Sequence, residues 1–225
     1  MASPAPLEGV AATALAVAAI RAEETARPDR LFADPLAAAF VAASRWSPSR
    51  PADDRQAVLL RAWVVARTVF LDDLLASACR EGRRQVVLLG AGLEVRAFRL
   101  PWPPGVRCFE LDTADVLDHK DLVLTGQAAV AGCERIPVRC DLRTDWPGAL
   151  LAAGFESGLP TVWVAEGVLA YLPQEQVEGA LADLAGGGRR SAGRRPCRTS
   201  PWCCTAAASP TAAESPRPGG VSRWS

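Results

Sequence analysis

Between residues 85 and 186, short apolar runs alternate with segments whose apolar residues recur at helical spacing. Runs that are apolar almost throughout are typical of strands buried on both faces. Strands that alternate with helices favour βαβ units, so the pattern predicts an α/β fold with a parallel sheet. The predicted strands cover residues 85–89, 106–111, 135–139 and 161–165. The predicted helices cover residues 95–98, 114–124, 146–153 and 174–184.

The first part of the chain, residues 1–80, predicts an N-terminal helical region. Its helices are expected at residues 11–25, 34–41 and 55–78, with a proline-containing loop before the third. This third helix is long and amphipathic, and its apolar stripe predicts the face that packs on the rest of the protein. The stripe consists of Val58, Leu59, Ala62, Val65, Ala66, Val69, Phe70 and Leu74.

The character of the chain changes after Gly186. Residues 187–225 contain no Leu, Ile, Met, Phe or Tyr and are rich in Arg, Pro, Ser, Gly and Ala, which predicts a disordered tail. Two interpretations stay open: a natural tail that binds an acidic partner, or out-of-frame translation of a GC-rich gene. We favour the second, because the sheet before the tail has only four predicted strands. Its edge beside the fourth strand would then be unpaired, and the chain would be marginally stable.

Charge and cysteine content limit the classes of partner. The chain has 25 Lys+Arg and 25 Asp+Glu residues, so its net charge is zero. Its charge therefore gives no reason to expect binding to nucleic acid or to an anionic membrane. The cysteines lack C-x-x-C spacing, which favours free thiols in a reducing compartment over a metal site. The apolar run at residues 10–20 has no basic segment before it, so it does not indicate a signal peptide. We therefore predict a cytoplasmic location and no metal.

A glycine turn carries the first chemical signal. The apolar run at 85–89 leads directly into Gly90-Ala91-Gly92, which is typical of a buried strand that turns sharply into a helix. A dinucleotide-binding turn would have a third glycine at position 95, where this chain has Val95. The pattern therefore favours a nucleoside cofactor without phosphates. The alternative is a tight turn that binds nothing.

Acidic residues follow the other predicted strands: Asp112, Asp141 and Glu166. Asp112 comes twenty residues after Gly92, at the strand end where a carboxylate normally holds ribose hydroxyls. Because parallel sheets bind ligands at the carboxyl ends of their strands, these acids predict a site together with the glycine turn. Asp112 could instead be a helix N-cap, and the other two could be solvated loop acids. His119, the only histidine, is predicted on a solvated helix face and not in the site.

Several longer blocks of the chain form a recognisable set: residues 89–101, 109–112, 140–143 and 165–173, together with 27–35 and 66–68. These blocks resemble the leucine carboxyl methyltransferase family, and in particular a branch of S-adenosyl-L-methionine-dependent methyltransferases common in actinobacteria. The resemblance spans about residues 10–186 and implies a Rossmann-like class I methyltransferase fold. It implies a cofactor-binding domain at 81–186, an N-terminal helical lid at 1–80, and a parallel sheet that is incomplete at its C-terminal edge.

The glycine motif of the family implies roles for three of these residues. Gly90 and Gly92 would line the methionine part of S-adenosyl-L-methionine, and Asp112 would hold the ribose hydroxyls. Glu94 and Val95 depart from the family pattern, which usually has Asp and Thr at these positions.

Further roles rest on the same resemblance. Asp141 and Leu142 would flank the adenine, Arg67 would meet the cofactor carboxylate, and Glu166 would lie near the methionine amino group. Acids and an arginine complement a cofactor that carries an ammonium, a sulfonium and a carboxylate. Tyr171 is a candidate contact to the methyl acceptor. Arg67 could equally belong to the polar face of its helix, and Tyr171 could simply pack the loop.

The resemblance implies a methyltransferase, whose reaction mainly requires positioning and desolvation because the sulfonium is already activated. An anionic oxygen needs no general base, and no histidine is well placed to act as one. We therefore expect O-methylation of a carboxylate or acidic hydroxyl on a small molecule, such as a secondary metabolite. Two alternatives stay open: a truncated, inactive methyltransferase-like protein, and an NAD-dependent oxidoreductase that uses the same glycine turn and Asp112.

Overall fold

The computed structural model describes residues 10–44, 54–172, 174–175 and 204–207. The helices are α1 (Val10–Thr25), α2 (Ala37–Ala43), α3 (Asp54–Arg80), α4 (Arg96–Arg99), α5 (Ala114–Gly126) and α6 (Trp146–Ala152). The strands are β1 (Gln85–Leu89), β2 (Arg107–Asp112), β3 (Glu134–Arg139), β4 (Thr161–Glu166) and β5 (Cys204–Ala207). A 3₁₀ turn covers Leu169–Tyr171.

The strands form one parallel sheet in the order β3-β2-β1-β4-β5. Because β2 lies on one side of β1 and β4 on the other, the chain reverses its direction of travel across the sheet at β1. This reversal is the topological switch point of a doubly wound sheet, beside which ligands bind. The structure confirms the predicted α/β fold with a parallel sheet, and the four predicted strands are each found within one residue of their expected ends.

One strand comes from the segment for which the sequence predicts no order. Strand β5 pairs in parallel with β4, with Cys204 opposite Trp163 and Ala207 opposite Glu166. The structure thus differs from the expected unpaired edge for these four residues. The physical reason is that a sheet edge presents free N–H and C=O groups, to which a short extended segment can bind. The rest of the predicted tail lies outside the described residues, as does the predicted helix at 174–184 apart from its first two residues.

Both faces of the sheet are covered by helices. On one face, Trp146 and Leu150 of α6 pack on strand residues that include Val87, Phe109 and Leu111. On the other face, the C-terminal half of α3 packs on β1 and β4. A third cluster joins α1, α2 and α5 to the segment after the glycine turn, so the N-terminal helices lie beside the start of α4.

The buried face of α3 differs from the predicted stripe. Val65 is buried as predicted, but Val58, Leu59 and Phe70 are exposed. The residues that pack in the core are Val64, Thr68, Leu71, Leu75 and Cys79. The first half of α3 carries apolar residues around most of its circumference, so hydrophobic spacing does not single out one face. Packing against the sheet and α1 selects the face instead.

The prediction of a solvated face at His119 is wrong. His119 is buried, its ring nitrogens have no hydrogen-bond partner among the described residues, and burial lowers its pKa. The neighbouring Lys120 is also buried, and its Nζ donates to Glu110 Oε2 at 2.8 Å. Helix α5 contacts both α2 and β3, so more of its circumference is enclosed than that of a surface helix.

In the part of the chain that the structure describes, the helices are too short or too polar to cross a membrane. The same residues contain no group of three His, Cys, Asp or Glu side chains placed to hold a metal ion. The four described cysteines, Cys79, Cys108, Cys133 and Cys140, are free thiols.

Candidate active site

A cavity of about 520 Å³ lies at the carboxyl edge of the sheet, between the strand ends and helices α1 and α3. Its walls come from the segments that follow β1, β2, β3 and β4, together with one face of each of the two helices. All eight residues that the sequence singles out line it: Arg67, Gly90, Gly92, Asp112, Asp141, Leu142, Glu166 and Tyr171. The fold therefore brings together residues that lie up to 104 positions apart in the chain.

The glycine turn after β1 forms one wall of the cavity. Gly90 and Gly92 both have left-handed backbone conformations, with φ of 66° and 52°, which glycine adopts without strain. A Cβ on Gly90 would lie 2.5 Å from Val168 Cγ2, so this glycine also lets the loop after β4 pack closely. The backbone N–H of Gly92 donates to Asp112 Oδ2 at 2.7 Å, which ties the turn to the end of β2.

Asp112 is fixed between two backbone segments. Besides the Gly92 bond, its Oδ1 accepts from the N–H of Thr113 at 2.8 Å. Thr113 and not Asp112 holds the N-cap position of α5. Burial raises the pKa of Asp112, although the hydrogen bonds from Gly92 and Thr113 oppose that shift. The carboxylate is thus held in one orientation at the cavity wall.

Arg67 and Glu166 pair with each other in the cavity wall. Arg67 Nε donates to Glu166 Oε1 at 2.9 Å, and the second oxygen of Glu166 accepts from Arg96 Nη1 at 2.6 Å. Burial alone would raise the pKa of the Glu166 carboxyl, but Arg96 and Arg67 outweigh it and lower this pKa from 4.5 to about 2. Glu166 is therefore ionised at neutral pH.

The ion pair continues away from the cavity into the interface between α3 and α4. Arg96 Nε donates to Asp72 Oδ1 at 2.8 Å, and Arg99 donates to both oxygens of Asp72. The sequence pattern gives Arg96, Asp72 and Arg99 no predicted role. Arg96 lies close to the glycine motif, and this position could have marked it as a candidate site residue. No spacing rule, however, links it to an acid on α3.

Glu94 contributes a carboxylate that is only half paired. Its Oε2 accepts from the backbone N–H of Arg96 at 3.1 Å and from Arg96 Nη1 at 3.2 Å. Its Oε1 has no hydrogen-bond donor among the described residues, and burial raises the pKa of this carboxyl against the effect of Arg96. The carboxyl group of Glu94 therefore receives a hydrogen bond from the backbone at the start of α4.

Arg21 connects α1 to the glycine turn and was also missed from the sequence. Its Nη2 donates to the carbonyl of Leu93 at 2.6 Å, and its Nε donates to Asp34 Oδ2 at 2.8 Å. Asp34 in turn accepts from the N–H groups of Leu36 and Ala37 before and at the start of α2. The two N-terminal helices are therefore fastened to the wall of the cavity through one buried arginine.

Asp141 and Leu142 form the wall after β3. Arg143 pairs with Asp141 through both its side chain and its backbone N–H, at distances of 2.9 Å to Oδ1. The hydrogen bond from the Arg143 side chain lowers the pKa of Asp141. Leu142 is half-buried and packs against the aromatic core around Trp146. This wall thus offers a short apolar surface beside an ionised acid.

Comparison with known proteins identifies the family. The model of the leucine carboxyl methyltransferase family matches residues 14–185. A protein of Streptomyces avermitilis is 54% identical over 183 residues, which cover 79% of this chain and 65% of that protein. Relatives from Streptomyces coelicolor and Frankia alni are 53% and 54% identical over 182 residues, covering 78% and 77% of this chain and 64% and 63% of theirs.

All three relatives carry the name "Putative S-adenosyl-L-methionine-dependent methyltransferase". The chain spans less than two thirds of the length of each of them. The matched region contains the glycine turn, the acids at the strand ends and the helices that enclose the cavity. The chain belongs to the leucine carboxyl methyltransferase family.

Proposed function

We propose that this protein is an S-adenosyl-L-methionine-dependent methyltransferase. The observation that carries the proposal is the convergence, in one cavity at the switch point of the sheet, of every residue to which the family motif assigns a cofactor contact. The names of the three relatives support the same activity.

The chemistry of the cavity fits this cofactor. Its volume of about 520 Å³ suits a small organic molecule, since such sites measure roughly 300–1,000 Å³. Its wall carries both acidic and cationic side chains. The acidic residues are Glu94, Asp112, Asp141 and Glu166, and the cationic residues are Arg21, Arg67, Arg96 and Arg143. Glu94 adds a carboxyl group beside the glycine turn, and its Oε1 has no partner among the described residues. A ligand with an ammonium, a sulfonium and a carboxylate matches this mixture better than a polyanionic one.

The assignment of cofactor parts follows the strand ends. Asp112, held by the N–H groups of Gly92 and Thr113, would accept hydrogen bonds from the ribose hydroxyls. The glycine turn would lie along the methionine part, and Leu142 with Asp141 would flank the adenine. Arg67 and Glu166 would receive the carboxylate and the ammonium. Because these two side chains already pair, each is held in place before the ligand arrives.

The acceptor is proposed to be a carboxylate or an acidic hydroxyl of a small molecule. When bound, S-adenosyl-L-methionine would supply a methyl group whose bond to sulfur breaks as a lone pair of the acceptor oxygen forms the O–C bond. An anionic oxygen requires no proton acceptor in this step. That choice is supported by His119, the only histidine of the chain, which is buried in α5 and does not line the cavity.

Two finer features complete the proposal. The acceptor is proposed to be a small molecule, of the kind made in secondary metabolism, because the volume of the cavity suits one. The protein works in the cytoplasm, where its described cysteines would stay reduced.

Isothermal titration calorimetry of the full chain with S-adenosyl-L-methionine and with NAD⁺ tests the proposal. We expect binding of the first at micromolar concentration and no measurable heat with the second. Binding of NAD⁺ alone would overturn the proposal in favour of an oxidoreductase. Methyl transfer to carboxylic acids and phenols is then measured by mass spectrometry. If the chain binds S-adenosyl-L-methionine but methylates none of them, the inactive methyltransferase-like alternative is favoured.

A further inference from the structure

Two helices each present one face to the cavity, and both faces have the same arrangement. On α3 the lining residues are Leu60, Trp63, Val64 and Arg67, which share one side of the helix because they are three, four and seven positions apart. On α1 the lining residues are Thr13, Ala14, Ala16, Val17 and Arg21, of which Ala14, Val17 and Arg21 have the same spacing. In each helix the arginine is the last of the lining residues along the chain.

Exposure falls along the α3 stripe towards Arg67. Leu60 is 52% exposed and Trp63 is 37% exposed, whereas Val64 and Arg67 are buried. At 1.5 Å per residue the stripe is about 10 Å long. The stripe is therefore a row of apolar residues that runs from the exposed end of the cavity wall to the ion pair of Arg67 with Glu166.

A second aromatic side chain lines the same cavity from another element. Tyr171, at the end of the 3₁₀ turn after β4, is 48% exposed. Large apolar side chains left in water carry a free-energy cost that a bound apolar group removes. Trp63, Tyr171 and Leu60 are three such side chains in one concave surface, while the acids of the cavity lie at or after the strand ends.

We infer that Leu60, Trp63 and Tyr171 form the acceptor subsite and that it takes the ring of a small aromatic acid. This inference rests on the proposed function and adds the substrate class to it. Aromatic side chains favour flat ligands through edge and stacking contacts beyond simple burial of area. The helix residues of the subsite carry no charge, so they select for an acceptor whose only charge is the oxygen to be methylated.

The chain offers a matched control for each contact on α3. Leu59 is 60% exposed and adjacent to Leu60, but it does not line the cavity. Phe70 is a large exposed side chain of the same helix, 54% exposed, and it also lies outside the cavity. Truncating either of them removes exposed apolar surface from α3 without changing the proposed subsite.

The test measures binding of 2-naphthoate, an aromatic acid, and hexanoate, an aliphatic one, by calorimetry with saturating S-adenosyl-L-homocysteine. We expect Trp63→Ala to weaken 2-naphthoate binding about tenfold and Leu60→Ala about threefold, because ring contacts and apolar area are lost. Leu59→Ala and Phe70→Ala should stay within about twofold of the unchanged chain. Trp63→Phe and Tyr171→Phe keep a ring and should retain most of the affinity.

Affinity for S-adenosyl-L-methionine, measured on every variant, separates the two claims. If the unchanged chain binds S-adenosyl-L-methionine but not 2-naphthoate, or binds hexanoate as tightly, the aromatic subsite is wrong and the proposed function stands. Equal losses in Leu59→Ala and Leu60→Ala would also overturn the subsite. If the unchanged chain binds no S-adenosyl-L-methionine, the proposed function fails and the inference fails with it.

Discussion

Two carboxylates on the same face of the sheet, the buried Glu110 and the partly exposed Glu166, each lie between two cationic side chains. Glu110 Oε2 accepts from Lys120 Nζ and from Arg135 Nε, both at 2.8 Å. Glu166 divides its partners, with Arg67 at one oxygen and Arg96 at the other. Both strands pair with β1, and Leu88 lies opposite Glu110 on one side and opposite Val164 on the other.

Glu110 and Glu166 differ in their level in the sheet, because Glu166 lies two residues closer to the carboxyl edge. Glu110 lies within β2, is fully buried, and does not line the cavity. Glu166 ends β4, two residues beyond the level of Glu110, and forms part of the cavity wall. The same kind of ion pair is therefore sealed in the core in one place and forms part of the cavity wall in the other. The distance of the carboxylate from the carboxyl edge of the sheet decides whether its ion pair lies in the core or in the cavity wall.

The largest effect is expected from Glu110→Gln. This change leaves the buried Lys120 without its counter-charge, while Arg135 keeps Asp121 as a partner, and removing one partner of a buried pair costs about 3–5 kcal/mol. Urea denaturation should show this loss of unfolding free energy. The control Glu134→Gln removes an exposed carboxylate at the start of β3 and should cost less than about 1 kcal/mol. A loss no larger than that of the control would show that Glu110 is not held by its partners.

Glu166→Gln should have a smaller effect that depends on pH. The folded-state pKa of Glu166 is lowered from 4.5 to about 2, so its contribution to stability is complete above about pH 4.5 and is lost as the pH falls through about 2. We expect the variant to be less stable by about 3 kcal/mol at pH 7 and by only about 1 kcal/mol at pH 3. Denaturation curves of both proteins at the two pH values measure this. A difference independent of pH would contradict the ion pair.

Asp112→Asn should change the affinity for the proposed cofactor. Asp112 lies on the same face of β2 as Glu110, two residues further on, and it lines the cavity. Loss of charge-assisted hydrogen bonds should weaken S-adenosyl-L-methionine binding by on the order of 1.5–3 kcal/mol in calorimetry, about tenfold or more. Asp115→Asn changes an exposed acid in the first turn of α5 and serves as the control. A dissociation constant within twofold of the unchanged chain would remove Asp112 from the site.

The smallest effect is expected from Arg143→Ala. The pair of Arg143 with Asp141 is exposed to water, and such pairs add little to stability. The midpoint of urea denaturation should not change measurably. The pKa of Asp141 should rise towards its ordinary value, because the Arg143 side chain lowers it. A carbon-detected NMR titration of Asp141 follows this shift, and an unchanged pKa would mean that the pair does not persist in solution.

Much of the sheet and of the cavity wall could be predicted from the chain alone. Strand β1 has the bounds that its apolar run predicts, and Asp112 and Glu166 stand at strand ends as expected. These predictions succeed because they depend on local pattern: a run of buried residues defines a strand, and the residue after it must emerge at the sheet edge.

The partners of those residues could not be predicted in the same way. Arg67 is 99 residues from Glu166, and the spacing of neither residue indicates the other. The sequence also placed His119 on a solvated face and Val58, Leu59 and Phe70 on a buried one, because a helix with apolar residues on several sides has no unique inner face.

The sequence by itself determined the first four strands, the glycine turn, the level at which each acid leaves the sheet, and the family motif. These features follow from the conformational limits of neighbouring residues. Only the tertiary structure decided which face of α3 is buried, that Arg21 holds α1 to the glycine turn, and that Glu166 lies between Arg67 and Arg96. Such contacts join distant parts of the chain, and they form where packing excludes water and leaves each charge with the partner nearest in space.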